Sequence, residues 1–276
     1  MVAVFLKILP FFTLIGLGYL AGRKQFFSPE ATAHLTRFVF YFALSAMLFG
    51  FAANLDLAAI FSLPFVFAYL LGTTAVWLLV ALVAVLRGVS REEAVFEAHT
   101  GVIGNVGFLG IPMLSLLLGP QAVGPVLLVL AVDLVVFSSV VTMAITGLRA
   151  GRVSTQTLGI LGAGLVRNPM IVSVVLGTLW GATGLALPVP VNEFMTLLGA
   201  AATPCALVAI GASLAGRSAE RVEVAAWLSF AKLILHPLAV AIACRVFGVT
   251  GFPAGVMIAA AALPVAGNVF ILAQHY

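Results

Sequence analysis

Apolar residues run along this chain in blocks of about twenty, and the polar residues fall between the blocks instead of alternating within them. A block of that length is what a helix needs to cross the hydrocarbon core of a bilayer. The pattern predicts nine spans, at roughly 2–22, 34–54, 63–87, 94–118, 123–148, 166–184, 191–215, 222–247 and 253–275. The stretch "TQTLGILGAGL", Thr155 to Leu165, reads as a short interfacial helix ahead of the sixth span.

The loops alternate in charge. Arg23 and Lys24 follow the first span, Arg87 and Arg91 flank the loop after the third, Arg149 and Arg152 follow the fifth, and Arg217 and Arg221 follow the seventh. The intervening loops, "NLDLAAIFS", "GPQAVG", "GATGLALPVP" and "GVTGFP", hold no Lys or Arg. The positive-inside rule then puts the basic loops in the cytoplasm and the N-terminus outside, in a multi-pass protein of the cell inner membrane.

Composition agrees. Of 276 residues 63% are hydrophobic and 8% charged, where a soluble domain carries about 25% charge. A net charge of +4 does not signal nucleic acid, because the basic residues sit in loop pairs and form no stripe. Cys205 and Cys244 both lie in apolar segments, and no C-x-x-C, H-E-x-x-H or phosphate-binding loop occurs. No metal or cofactor is expected beyond a coupling proton or sodium ion. The run Val2 to Leu20 ends in "AGRK" and exceeds a signal-peptide core, so it reads as a retained span.

A short motif repeats. "GNVGF" at Gly104 recurs as "GNVF" at Gly267, an offset of 163 (267 − 104). The same shift carries spans two and three onto seven and eight. Five spans per copy is an odd number, so the second copy enters inverted, the architecture of many secondary transporters. The predicted fold is all-α integral membrane, with two inverted five-helix repeats over 1–148 and 155–276. The offset also predicts a partner for the fifth span near position 286, whereas the chain stops at Tyr276. A tenth helix is therefore expected to be missing, through truncation or because the full-length protein lacks one; the second is favoured.

"GNVGFLGIP", Gly104 to Pro112, breaks a membrane helix with three glycines and a proline, and Pro264 does the same before Asn268. Unwound backbone at membrane depth persists only where protein or a watery cavity satisfies it. Two matched breaks predict a midplane crossover whose half-helix N-termini suit an anion. Asn105 and Asn268 add donors and acceptors, while Gly104, Gly107, Gly110 and Gly267 allow close approach to the backbone. Glycine and proline are also ordinary kink residues in membranes; the matching of the two sites favours a ligand role.

Ionisable residues inside spans cost about 2.5–3.5 kcal/mol each on insertion scales and so mark candidate function. Asp133 is a candidate for a coupling ion, Lys232 for an anionic substrate, and the two together for a fixed ion pair. His236 is expected to serve backbone freed around Pro237. Glu97 and His99 either guard the inner entrance or snorkel to the interface. Arg37 and Arg167 read as headgroup anchors, and Pro204 as a kink.

"GNVGFLGIP", "AATPCALVAIGASLAG" (Ala201 to Gly216), "KLILHP" (Lys232 to Pro237) and "ALPVAGNVFILAQHY" together resemble the auxin efflux carrier family in its bacterial branch. That family includes plant PIN auxin exporters and bacterial malate or malonate permeases. The resemblance implies broken, crossed helices four and nine, in a sodium/proton-antiporter-like or bile-acid-symporter-like fold. It implies a homodimer through scaffold spans 1, 2, 6 and 7, with spans 3–5 and 8–9 as a moving transport domain. By motif, Asn105 and Asn268 with Pro112 and Pro264 would hold the substrate. Ser45 in "ALSAML" stands where the pattern has proline. The expected function is secondary transport of a small organic anion (malate, malonate or an indole acid) by an elevator movement. The alternative is a ligand sensor on the same fold. An enzyme is not expected, since no nucleophile–base pair or metal cluster is spaced for one.

Overall fold

Lipid offers backbone groups no hydrogen-bond partner, so a chain this apolar must satisfy them within helices or a closed barrel. The computed structural model describes residues 2–55, 61–150, 155–216 and 221–265, and every regular element among them is helical. In chain order these are α1 (Val2–Arg23), α2 (Pro29–Ala53), α3 (Leu63–Leu86), α4 (Arg91–Thr100), α5 (Val106–Leu118) and α6 (Pro120–Arg149). They continue as α7 (Thr155–Arg167), α8 (Pro169–Ala182), α9 (Val189–Ala200), α10 (Ala202–Leu214), α11 (Val222–Val246) and α12 (Gly251–Ala261).

Six of the described spans are long and apolar enough to cross a membrane, counting α9 and α10 as one: α1, α2, α3, α6, α9–α10 and α11. A seventh is gained if α7 and α8, bent by 71° at Asn168, count as one span. That bend has a local cause. The Asn168 side chain accepts hydrogen bonds from the Met170 and Ile171 amides at 3.0 and 3.4 Å, and Pro169 opens the new helix. Serine caps likewise start α2, α3 and α4, at Ser28, Ser62 and Ser90.

The chain forms two compact units. The first comprises Met1–Ile60, Gly107–Gly124 and Asn168–Glu220. In it α1 packs along α10, and α2 packs along α8 and α9. Small residues permit the contact: a methyl on Gly177 would lie 2.7 Å from the Phe49 carbonyl oxygen. The second unit comprises Phe61–Val106, Pro125–Arg167 and Arg221–Tyr276. Its spine is α3 against α11, in backbone contact at Gly72, where a methyl would meet Val240 Cα at 2.7 Å.

The fourth span breaks earlier than the glycines and proline suggested. Helix α4 ends at Thr100, residues 101–105 are non-helical, and the chain resumes as a π turn over Val106–Gly110. Gly107 lies in that turn, and Pro112 is the second residue of the regular helix after it. A proline is tolerated there because the first turn of a helix does not use its amide. The ninth span is helical as α12 only to Ala261, and its continuation from 266 lies outside the described residues.

Further π turns interrupt three long spans: Val39–Ala43 in α2, Asp133–Phe137 in α6 and Ala231–Leu235 in α11. Two of them are served by a serine five residues beyond a loosened carbonyl. Ser45 Oγ donates to the Phe40 oxygen at 3.1 Å, and Ser138 Oγ to the Asp133 oxygen at 3.2 Å. Ser45 therefore stands at a widened turn, so the helix is relaxed there without a proline.

Candidate functional site

The second unit holds most of the buried polarity. The described polar or charged residues that are buried are Thr32, Thr73, Glu97, His99, Asn105, Asp133, Lys232 and His236, and all but Thr32 belong to this unit. They form two groups: a crossover with its support, and an ion-paired end.

At the crossover the two broken segments meet as backbone. The Asn105 amide donates to the Pro264 carbonyl at 2.7 Å, and Gly104 pairs with Val265 in an isolated antiparallel bridge. A sheet-like contact here gives non-helical backbone the partner that lipid cannot. Gly104 is required by proximity: a methyl on it would sit 3.2 Å from the Ala260 oxygen and 3.4 Å from Lys232 Nζ. The Asn105 side chain is enclosed, with the residue 4% exposed. Gly267 and Asn268, the matching residues of the second motif, lie outside the described residues.

Lys232 lies directly beneath this crossing and is fully buried. Its ammonium donates to the carbonyl of Ala261, the last residue of α12. A helix leaves its final carbonyls unpaired and carries partial negative charge there, so a cation at that point caps it. Nζ also lies 3.2 Å from His236 Nδ1, and His236 Nε2 is 3.0 Å from Thr73 Oγ1. His236 Nδ1 also lies 3.2 Å from the Ala261 oxygen, so the ring links Lys232, Ala261 and Thr73, with donor and acceptor roles set by its tautomer. His236 thus serves Thr73 and the end of α12; the backbone around Pro237 is not its partner.

Asp133 opens the π turn of α6 and takes a hydrogen bond from the Tyr69 hydroxyl at 2.8 Å. Its other oxygen, Oδ2, is buried without a partner among the described residues. The fixed Asp133–Lys232 ion pair weighed from the sequence is not formed, since no ion pair within 4.0 Å joins them among the described residues. Both residues occupy π turns, where an extra residue per turn aims a side chain off the regular helical face.

Glu97 and His99 do not snorkel, being 7% and 1% exposed. Glu97 Oε2 is held by Arg87 at 2.7 Å, and among the described residues neither its Oε1 nor His99 Nδ1 has a partner. Two further ion pairs secure the start of α4, Arg149–Glu92 at 2.9 Å and Arg221–Glu93 at 2.5 Å. The Arg149 hydrogen bond holds the Glu92 carboxyl below the usual carboxylate range.

Among the sequence candidates, then, Gly104, Asn105, Pro264 and Lys232 come together, Asp133 stands by Tyr69, and Glu97 by Arg87. Gly107 and Pro112 belong to the first unit. Tyr69 and Thr73 were missed, because a tyrosine and a threonine in an apolar span carry no insertion penalty that draws notice. The motif offset contains them: adding 163 to 69 and 73 gives Lys232 and His236.

A model of the family described as membrane transport protein matches residues 3–276. The "Putative malonate transporter" of Rhizobium meliloti (strain 1021) is 31% identical over 277 residues, covering 98% of this chain and 85% of that protein. The "Uncharacterized transporter YfdV" of Escherichia coli (strain K12) is 24% identical, covering 98% of this chain and 87% of its own. A helical, multi-pass chain with a broken span braced at depth, matched end to end by this family, belongs to the auxin-efflux-carrier-like membrane transport proteins: it is a membrane transporter and not an enzyme.

Proposed function

We propose that the chain is a secondary transporter of a small organic anion, a dicarboxylate such as malonate or malate before an indole acid. The substrate is held where the broken fourth and ninth spans cross. The observation that carries this is the Asn105–Pro264 backbone contact with the Lys232 ammonium beneath it. An enclosed asparagine side chain and a nearby cation form the donor set that a carboxylate asks for. The name of the Rhizobium relative supports malonate within that class.

Inverted repeats are supported by a coincidence of numbers. Thr73 and His236 touch at a separation of 163 residues, the offset of the two GNV motifs. Residues related by a two-fold axis touch each other only where they lie on it. Apart from Gly107–Gly124, which fall in the first unit, the division groups spans 1, 2, 6 and 7 and spans 3–5 and 8–9, which supports a scaffold and a transport domain working as an elevator in a homodimer. A proton or sodium ion coupled to transport would be taken up at Asp133, whose Oδ2 has no partner among the described residues; Glu97 and His99 are the secondary candidates.

The test is counterflow of labelled malonate into proteoliposomes loaded with unlabelled malonate, malate or an indole carboxylate. Accelerated uptake that is lost in Asn105→Ala supports the proposal. Saturable binding without counterflow makes the chain a sensor. Counterflow that survives Asn105→Ala unchanged removes the site from the crossover.

A further inference from the structure

A groove of about 440 Å³ opens at the basic-loop end of the second unit. Its walls come from the last turns of α3, the first turns of α4 and the final turns of α6. Ala81, Val85, Ala94, Met143 and Gly147 line it, so nearly all of its surface is apolar, and Arg91 stands at its edge. The floor is well packed, with Val95, Val141 and Ile145 buried and Trp77, Phe96 and Ala144 against them. The groove is therefore a fixed surface feature; its volume falls within the roughly 300–1,000 Å³ of small-molecule sites.

Charge sets its mouth apart. Among the described residues, Arg87, Arg91, Arg149 and Arg221 stand at this end of the unit. Arg87, Arg149 and Arg221 are spent on Glu97, Glu92 and Glu93. Among the described residues no carboxylate lies within ion-pair distance of Arg91, which is exposed. The position, between the end of an apolar span and a short charged loop, is that of the lipid headgroups. An open apolar groove at that depth does not stay empty in a bilayer, because lipid chains fill it. An unneutralised arginine at its mouth then selects which lipid enters.

We propose that this groove is a binding site for an anionic phospholipid, with an acyl chain along Ala81, Ala94 and Gly147 and the phosphodiester on Arg91. Basic pockets between helices at a membrane face bind anionic headgroups in this way. The site lies apart from the residues of the crossover and joins α3, α4 and α6, so an occupant ties three helices of one unit.

Native mass spectrometry on the detergent-purified full chain tests it, titrating dioleoylphosphatidylglycerol against dioleoylphosphatidylcholine. The expected result is a preference of about five-fold for phosphatidylglycerol, the share of one surface cation. Arg91→Gln should erase the preference while both lipids still bind, and Arg91→Lys should retain it. Ala81→Leu, which fills the groove, should weaken both lipids. Inorganic phosphate should not compete. Equal binding of the two lipids by the unaltered chain would overturn the proposal. So would a preference that survives Arg91→Gln, or displacement of phosphatidylglycerol by free phosphate, which would mark a simple anion site. Counterflow in phosphatidylcholine vesicles reads the transport proposal independently of these outcomes.

Discussion

Tyr69 gives the Asp133 carboxyl its one hydrogen bond among the described residues, at 2.8 Å, and Oδ2 receives none from them. Removing the phenol oxygen with Tyr69→Phe keeps the ring and strands the carboxyl. The magnitude depends on the state of that carboxyl. Interhelical hydrogen bonds between neutral groups in a membrane average about 0.6 kcal/mol. A hydrogen bond to a charged group contributes about 1.5–3 kcal/mol. The neutral average lies below the charged range, so a coupling of about 0.6 kcal/mol reports a protonated Asp133, and one above the roughly 1.7 kcal/mol maximum of membrane pairs reports an ionised one.

The assay is a double-mutant cycle of Tyr69→Phe and Asp133→Asn, read as unfolding free energy in mixed micelles and repeated across pH. Independent sites add to within about 0.3–0.5 kcal/mol. A coupling above that band is expected, about 0.6 kcal/mol if the acid is protonated and above about 1.7 kcal/mol if it is ionised. A cycle that closes additively at every pH would refute the Tyr69–Asp133 contact, and with it the case for Asp133 as an ion-uptake residue.

Four further outcomes are expected. Lys232→Met should lower counterflow at least ten-fold while leaving a folded protein, and Lys232→Arg should not rescue it, because the fully buried site at Ala261 has no room for a guanidinium. Gly72→Val should fail to accumulate in membranes as a folded chain, since its first added carbon would lie 2.7 Å from Val240 Cα; a blot and size-exclusion profile check it. Arg87→Ala should destabilise the chain by about 1–3 kcal/mol, more than Glu97→Gln does, because it strands a carboxylate that already has one unpartnered oxygen. Glu92→Gln tests a surface pair whose carboxyl is held low by Arg149. A group with a lowered pKa stabilises the fold above its unfolded pKa and stops doing so as pH falls through the folded one. The small difference between Glu92→Gln and the unaltered chain should therefore be present near neutral pH, vanish in acid below the usual carboxylate range, and shrink in high salt.

Much of the architecture was legible in the sequence because the bilayer enforces it. Helices must satisfy their own backbone, so apolar blocks located α3 and α11 within a residue of their ends. The crossover was legible through Gly104 and Asn105 because only small residues and polar partners tolerate unwound chain. Register within the break was not: Pro112 looked like its cause, yet a proline in a first helical turn disrupts nothing, and the unwound residues precede it. The π turns were invisible, since an i→i+5 turn has no composition of its own. Asp133 and Lys232 each sit in one, and the pairing that looked natural from depth alone is not among the ion pairs of the described residues.

The distribution of buried polarity says where work can be done. Both units face the same lipid and draw on the same apolar residues, yet Thr32 is the one buried polar residue described in the first, against seven in the second. Burying a polar group unpaired costs roughly 1–3 kcal/mol, so selection for stability alone gives no reason for the imbalance. In the second unit Glu97, His99 and Asp133 each keep an atom without a partner among the described residues. A merely structural network would be expected to close its hydrogen bonds, as Lys232, His236 and Thr73 do. The same unit therefore combines a braced part that fixes the crossover with open valences on acids and a histidine. That combination is what a carrier needs if a substrate is to bind to fixed backbone while an ion or proton comes and goes beside it.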